Sequence, residues 1–168
     1  MGRARASWML VLLAAAFAVG CGQGVLSSGG TCRVPWQADE WAQEVIDLVN
    51  AERAAEGLSP LSSDATLATM AEDYACEMIE DEFFAHVNPD TGSTPVTRAD
   101  EHGYVYDEVG ENLAVGYDSP AEVMVAWMNS PGHRANILHD SYTEMGVGVR
   151  VALDGQTYWV QEFGDPWP

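Results

Sequence analysis

Helical periodicity dominates the chain until its last quarter, where strand alternation replaces it. That order predicts an α+β fold in which helices cover an antiparallel sheet. Three observations carry the prediction. Apolar residues recur at helical spacing around Trp41, Val45, Leu48 and Val49, and again at Leu67, Met70, Ala71, Tyr74 and Met78. Serine stands directly before proline at Ser119 and Ser130, the N-cap and first-turn arrangement that opens a helix. The closing stretch M-G-V-G-V-R-V-A-L, a D-G turn and Q-T-Y-W-V-Q-E-F-G read as a hairpin about Asp154 and Gly155.

The chain opens on an address. Arg3 and Arg5 precede an apolar run over positions 8–19. That run is shorter than the roughly 20 residues a spanning helix needs and suits a signal peptide over residues 1–20. It ends in A-V-G-C, which resembles the lipobox of bacterial lipoproteins, with Ala18 where leucine is usual. Cys21 would then be lipidated and become the N-terminus, and residues 21–36 would form a Gly/Ser-rich tether. Ordinary secretory cleavage near the same place is the alternative. With Cys21 removed, Cys32 and Cys76 remain. In an exported chain this even remainder predicts a disulfide, with two unpaired thiols as the other reading. Closing a loop of about 45 residues stabilises by roughly 4 kcal/mol on the chain-entropy view.

Residues 37–168 suffice for one domain and are too few for two. Asp39 and Glu40 start the first helix, which Gly57 stops. Ser63 or Asp64 caps the second, which is expected to run through I-E-D-E to F-F-A-H-V before N-P-D-T-G turns the chain. T-P-V-T-R-A-D-E-H-G is a short helix with Gly103 as its stop. A loop leads to V-G-E-N-L-A-V-G, and two helices follow, opened by Pro120 and Pro131.

Seven basic residues, none of them lysine, stand against 26 acidic ones, a formal net charge of −19. With no basic cluster, nucleic acid is excluded as a partner, and the surface repels anionic headgroups. Contact with a membrane is expected through the N-terminal lipid only. The chain also lacks G-x-S-x-G, H-E-x-x-H, a Gly-rich phosphate loop and C-x-x-C, which argues against the commonest hydrolase, zinc-protease, nucleotide and thiol-redox chemistries. Among the four histidines, His102 and His139 lie in polar settings and read as solvated caps. His86 and His133 lie at the ends of elements among apolar or small residues, where distant segments converge.

L-V-N-A-E-R-A-A-E-G-L-S-P-L, F-F-A-H-V-N-P-D-T-G, G-E-N-L-A, A-W-M-N-S-P-G-H-R-A-N-I-L and E-M-G-V-G-V before Y-W-V-Q-E-F-G occur in one order. Together they resemble the CAP superfamily (cysteine-rich secretory proteins, antigen 5 and pathogenesis-related proteins) in its bacterial SCP-like form. The resemblance implies an α-β-α sandwich and a cleft lined by two histidines and two glutamates. His86, Glu111 and His133 match three of these positions. The fourth, three residues after Trp127, is Ser130, and this departure weakens any paired acid–base reading.

Two imidazoles and a carboxylate with an open position suit zinc, so His86, His133 and Glu111 are candidate metal ligands. Glu111 could instead accept the second N–H of a histidine and orient it. Asn112 and Asn136 are expected at the same cleft. In the bland alternative, Glu111 and Asn112 hydrogen-bond locally and the histidines bind nothing tightly. Arg134 reads as a solvated or salt-bridged charge.

The expectation is an exported, lipid-anchored module at the cell envelope that binds a lipid, envelope polymer or protein through this cleft. The alternative is a zinc-assisted, peptidase-like hydrolase with Glu111 as general base.

Overall fold

The computed structural model describes residues 31–167. Among these, five helices enclose one four-stranded sheet in the order β1-β3-β4-β2. The expected α-β-α layering is present. The sheet is mixed rather than purely antiparallel, because the two-residue strand β1 (Ser62–Ser63) pairs parallel to β3 (Glu144–Val151). β3 and β4 (Thr157–Pro166) form the expected hairpin.

The first helix, α1 (Ala38–Ala55), carries Asp39 and Glu40 in its first turn, and Gly57 beyond its end has φ +77°. Asp64 caps α2 (Ala65–Glu80), accepting from the Thr66 and Leu67 amides at 2.8 and 2.9 Å. This helix stops at Glu80, short of the expected phenylalanines. Two turn residues intervene and Glu82 takes φ +56°, so Phe83 to His86 form a non-helical link. A capping box between Thr94 and Thr97 opens α3 (Pro95–His102). The next segment is β2 (Tyr106–Val115) rather than a loop. Its residues pair with β4 almost throughout, and these cross-strand bonds outweigh the local weakness of V-G-E-N as a strand.

Ser119 caps α4 (Pro120–Asn129) through its hydroxyl, which accepts from the Glu122 amide. Ser130 occupies the N-cap position of α5 (Pro131–Ile137), but its side chain makes no capping bond. The helix is instead held by Arg53. This buried guanidinium donates to the carbonyls of Ser59, Ile137, His139 and Tyr142 and ties α1 to the chain around the end of α5.

One face of the sheet packs against α1, α4 and α5 through Val45, Val123, Trp127, Val147 and Trp159. The other face receives α2, through Ala71, Tyr74, Met78, Leu113 and Val160, and α3 through Ala99. Gly146 and Gly148 let the α2 backbone lie directly on β3. A Cβ at Gly146 would sit 2.1 Å from the Ala68 nitrogen, and one at Gly148 would sit 2.4 Å from the Ala71 carbonyl carbon.

Cys32 and Cys76 form the expected disulfide, with Cα atoms 5.2 Å apart. It fastens the entering chain to α2, and Arg33 pairs with Val151 beside it. Cys21 and the signal segment lie outside the described residues, as does most of the tether. Among the described residues no helix is long and apolar enough to cross a membrane.

Because neither backbone can withdraw without separating α2 from the sheet, Gly146→Ala is expected to destabilise the domain by at least about 2 kcal/mol. Thermal unfolding under non-reducing conditions measures this. An unchanged midpoint would mean that α2 does not seat on β3 as described.

Candidate functional site

The site begins with a buried arginine. Arg98 projects from α3 with its side chain 3% exposed. Its guanidinium carbon lies 3.3 Å from the centre of the Tyr74 ring, a cation–π contact across the two helices. Arg98 Nη2 donates to Glu111 Oε2 at 2.5 Å, and the guanidinium also reaches the His86 carbonyl at 3.3–3.4 Å. The Tyr74 hydroxyl donates to the Ala85 carbonyl at 2.6 Å. Two groups on α2 and α3 therefore clamp the backbone that carries His86. Asn88 anchors the turn that follows, accepting from the amides of Asp90 and Thr91 while its amide donates to Glu77.

Glu111 is the centre of this network. Its side chain is 1% exposed, and its other oxygen accepts from His86 Nδ1 at 2.6 Å. The imidazole therefore carries its hydrogen on Nδ1 and leaves Nε2 facing outward on a ring that is 53% exposed. The hydrogen bond to Glu111 raises the His86 pKa above its ordinary value. Burial opposes the shift, the charge of Glu111 adds to it, and that of Arg98 subtracts.

β2 is an edge strand, and its alternation divides the site between two layers. Glu111 points toward α2 and α3. Its neighbour Asn112 points toward α5 and is fully buried. Asn112 donates to the His133 carbonyl at 3.1 Å and to Gln161 Oε1 at 2.9 Å. Asn136 donates to the Glu111 carbonyl at 3.0 Å and to Asn112 Oδ1 at 2.9 Å. These asparagines thus cover the open edge of β2 with α5 and set the position of His133, rather than lining the cleft.

Burial lowers the His133 pKa, and the charge of His86 lowers it further, so the two rings share one electrostatic environment. His133 and Ser130 line the polar end of a groove of about 290 Å³ whose walls are Phe84, Leu113, Val115 and Trp127. A second, apolar depression continues it across Tyr117 and Ala126 to Val125.

The expected residues are therefore brought to one place with different duties. Glu111 accepts from His86 on one oxygen and from Arg98 on the other, so this carboxylate orients a histidine. Among the described residues no group of three His, Cys, Asp or Glu side chains is disposed to hold a metal ion. The arrangement does not fit a two-histidine, one-carboxylate zinc centre.

His102 and His139 lie away from the groove and are only partly solvated. His102 bonds the Arg98 carbonyl and Asp73, and His139 stacks on Tyr142 beside Glu108. Arg134 pairs with Glu56 at 2.7 Å on the surface, as expected of a salt-bridged charge.

Sequence reasoning missed Arg98, Tyr74 and Glu162. Glu162 is fully buried on β4 and neither of its oxygens has a partner among the described residues. Burial, and then the charge of Glu111, push its carboxyl well above the usual range. In an acidic, lysine-free chain a lone arginine in a short helix was the one available signal.

Residues 46–163 match the Cysteine-rich secretory protein family. The chain belongs to the CAP family. The relative YkwD of Bacillus subtilis (strain 168), an uncharacterized protein, is 38% identical over 133 residues, covering 79% of this chain and 50% of its own length. This chain thus spans half or less of the first curated relatives it matches.

Among solved structures, an extracellular SCP-domain protein of Bacillus anthracis superposes with a TM-score of 0.68 at 28% identity, over 76% of this chain and 41% of that one. An outer surface protein of Borrelia burgdorferi does so with a TM-score of 0.70 at 25% identity, over 74% of this chain and 92% of that one. A more distant member solved with Zn2+, NaASP2, is 14% identical over 80% of this chain and 85% of its own, with a TM-score of 0.56; it shares the fold alone.

In this CAP domain the two histidines should titrate on opposite sides of the ordinary value of about 6.5. Proton NMR of the ring resonances is expected to give a midpoint above that value for His86 and below it for His133. The stability linked to His86 is fully present below about pH 6.5 and is lost as pH rises through its folded midpoint. That linked to His133 is lost as pH falls below the unfolded value. Equal midpoints would remove the Glu111 bond and the shared environment together.

Proposed function

We propose that this CAP-domain chain is an exported binding module, tethered by a lipid on Cys21, that takes an amphiphilic ligand at the cell envelope. The carrying observation is an apolar groove that ends at His133, a ring within the electrostatic reach of the Glu111-oriented His86. Phe84, Leu113, Val115 and Trp127 supply apolar walls, Ser130 and His133 supply polar contacts at one end, and the charge of the neighbouring His86 reaches His133. Such a site fits a ligand with an acyl or aromatic body and a hydrogen-bonding or anionic head.

Electrostatics support the head-group assignment. Arg98 and Glu111 offset each other within the buried cluster, so protonated His86 leaves a local positive charge on a chain of net charge −19. The envelope location is supported by the signal-like leader and by the printed descriptions of extracellular and outer-surface relatives. A binding role also accords with Ser130, which leaves the cleft without a carboxylate at the position the family pattern expects.

The probe is 1-anilinonaphthalene-8-sulfonate, which joins an aromatic body to an anionic head. At pH 6, residues 22–168 are expected to bind it about tenfold more tightly than His86→Ala or the groove-filling Ala126→Trp, a difference near 1.4 kcal/mol. Equal affinity in all three would overturn the groove as the binding site. For the anchor, the full chain expressed in a bacterial host is expected in the membrane fraction, and its Cys21→Ser variant in the medium. Equal distribution of the two would remove the lipid.

A further inference from the structure

Glu162 is a carboxyl that the network around His86 leaves without a visible duty, although the fold brings it to the centre of that network. It lies on β4 directly opposite Glu111 of β2. Their relation follows from the ladder. The Gly116 amide donates to the Thr157 carbonyl, which makes that cross-strand pair hydrogen-bonded. Counting back along β2, Asn112 and Gln161 fall on a hydrogen-bonded pair, while Glu111 and Glu162 fall on the alternate type. The Glu111 carbonyl accordingly points off the sheet edge, where Asn136 meets it. Non-hydrogen-bonded antiparallel pairs have Cα atoms about 4.5 Å apart and the closer side chains. Both side chains project to the face covered by α2, since Gly146, opposite Glu162 on β3, meets the α2 backbone.

Two carboxyl groups are thus pressed together out of water. Glu162 is 0% exposed, and neither of its oxygens has a partner among the described residues. The charged groups facing the pair are few. Arg98 from α3 is held by Glu111 and stacked on Tyr74 from α2, and β3 contributes only Gly146. His86, bonded to Glu111 from the 83–88 link, adds a second positive charge only while it is protonated. Without that charge one guanidinium cannot offset two carboxylates, and two adjacent buried anions repel strongly. A single proton between them removes both costs, because a carboxylic acid can donate to a carboxylate that still has lone pairs to spare.

We propose that Glu162 keeps its proton at neutral pH and donates it in a hydrogen bond to Glu111, so that the two form an acid–carboxylate pair with one negative charge. Glu162 is then a positioning residue. Its donated bond adds a third anchor to Glu111 beside Arg98 and His86. With one negative charge beneath it rather than two, the upward pull on the His86 pKa comes from Glu111 alone. The inference goes beyond the binding reading and holds whatever the groove takes.

The test compares infrared spectra and His86 titrations of wild type, Glu162→Gln and Glu162→Leu. Glutamine is nearly isosteric, uncharged, and donates an N–H where the acid donates its O–H. Wild type is expected to show a protonated-carboxyl stretch at pH 7, far above the ordinary glutamate value of about 4.3, and Glu162→Gln should lack it. The His86 midpoint should stay within about 0.3 pH units of wild type in the glutamine variant, because no charge is removed. The leucine variant, which cannot donate, should melt lower than the glutamine variant.

No protonated carboxyl in wild type at pH 7 overturns the proposal without reference to any variant. A fall of about one unit in the His86 midpoint of Glu162→Gln also overturns it, since that is the effect of removing a neighbouring anion. So does a glutamine variant that does not fold while wild type does, or one that melts no higher than the leucine variant.

Discussion

The site rests on the guanidinium of Arg98. It is buried, so its charge must be met at close range, and three segments are drawn to it. Tyr74 of α2 offers a ring face, Glu111 of β2 an oxygen, and the backbone at His86 a carbonyl, while α3 supplies the arginine itself. In a low-dielectric interior such contacts are stronger than at the surface, and loss of one partner leaves an unmet charge behind. The same cation orders the 83–88 link, which has no regular structure of its own. The orientation of His86 is thus an outcome of burying one charge correctly.

The second constraint is the open edge of β2. An unpaired strand edge invites association with other chains unless something covers it. Here α5 does so, with Asn136 bonding the Glu111 carbonyl and Asn112 bonding the His133 carbonyl. Covering the edge brings His133 to the strand whose opposite face holds Glu111 and His86. The cleft is therefore the seam between the two helical layers, and β2 serves both through the alternation of adjacent side chains. Arg53 secures the far side of this seam by holding the chain that leaves α5.

Charge is distributed in a way the total conceals. A chain of net charge −19 keeps a nearly neutral cluster beneath its groove, with Arg98 against Glu111 and a half-exposed imidazole above them. The excess acid lies mostly on exposed surfaces, where water and salt screen it. Local electrostatics at the groove thus differ from the strongly negative far field, and recognition there is decided at short range.

The sequence by itself determined the helices with strong caps, the terminal hairpin, the even cysteine pair and the order of motifs. Each is written in local spacing or parity, and each is present in the fold. It did not determine that V-G-E-N is a strand, because the bonds that make it one come from β4 about 50 residues away. It also did not show where α2 ends, because a turn with Glu82 at positive φ competes with continued helical spacing. His86, Glu111 and His133 were legible as candidates through the family motif. Their division of labour was not. Whether Glu111 holds a metal or orients a histidine depends on Arg98, a residue with no motif around it. Whether Glu162 matters depends on strand register, which only the closed sheet supplies. Periodicity and capping are properties of neighbours along the chain, whereas burial and charge pairing are properties of neighbours in space.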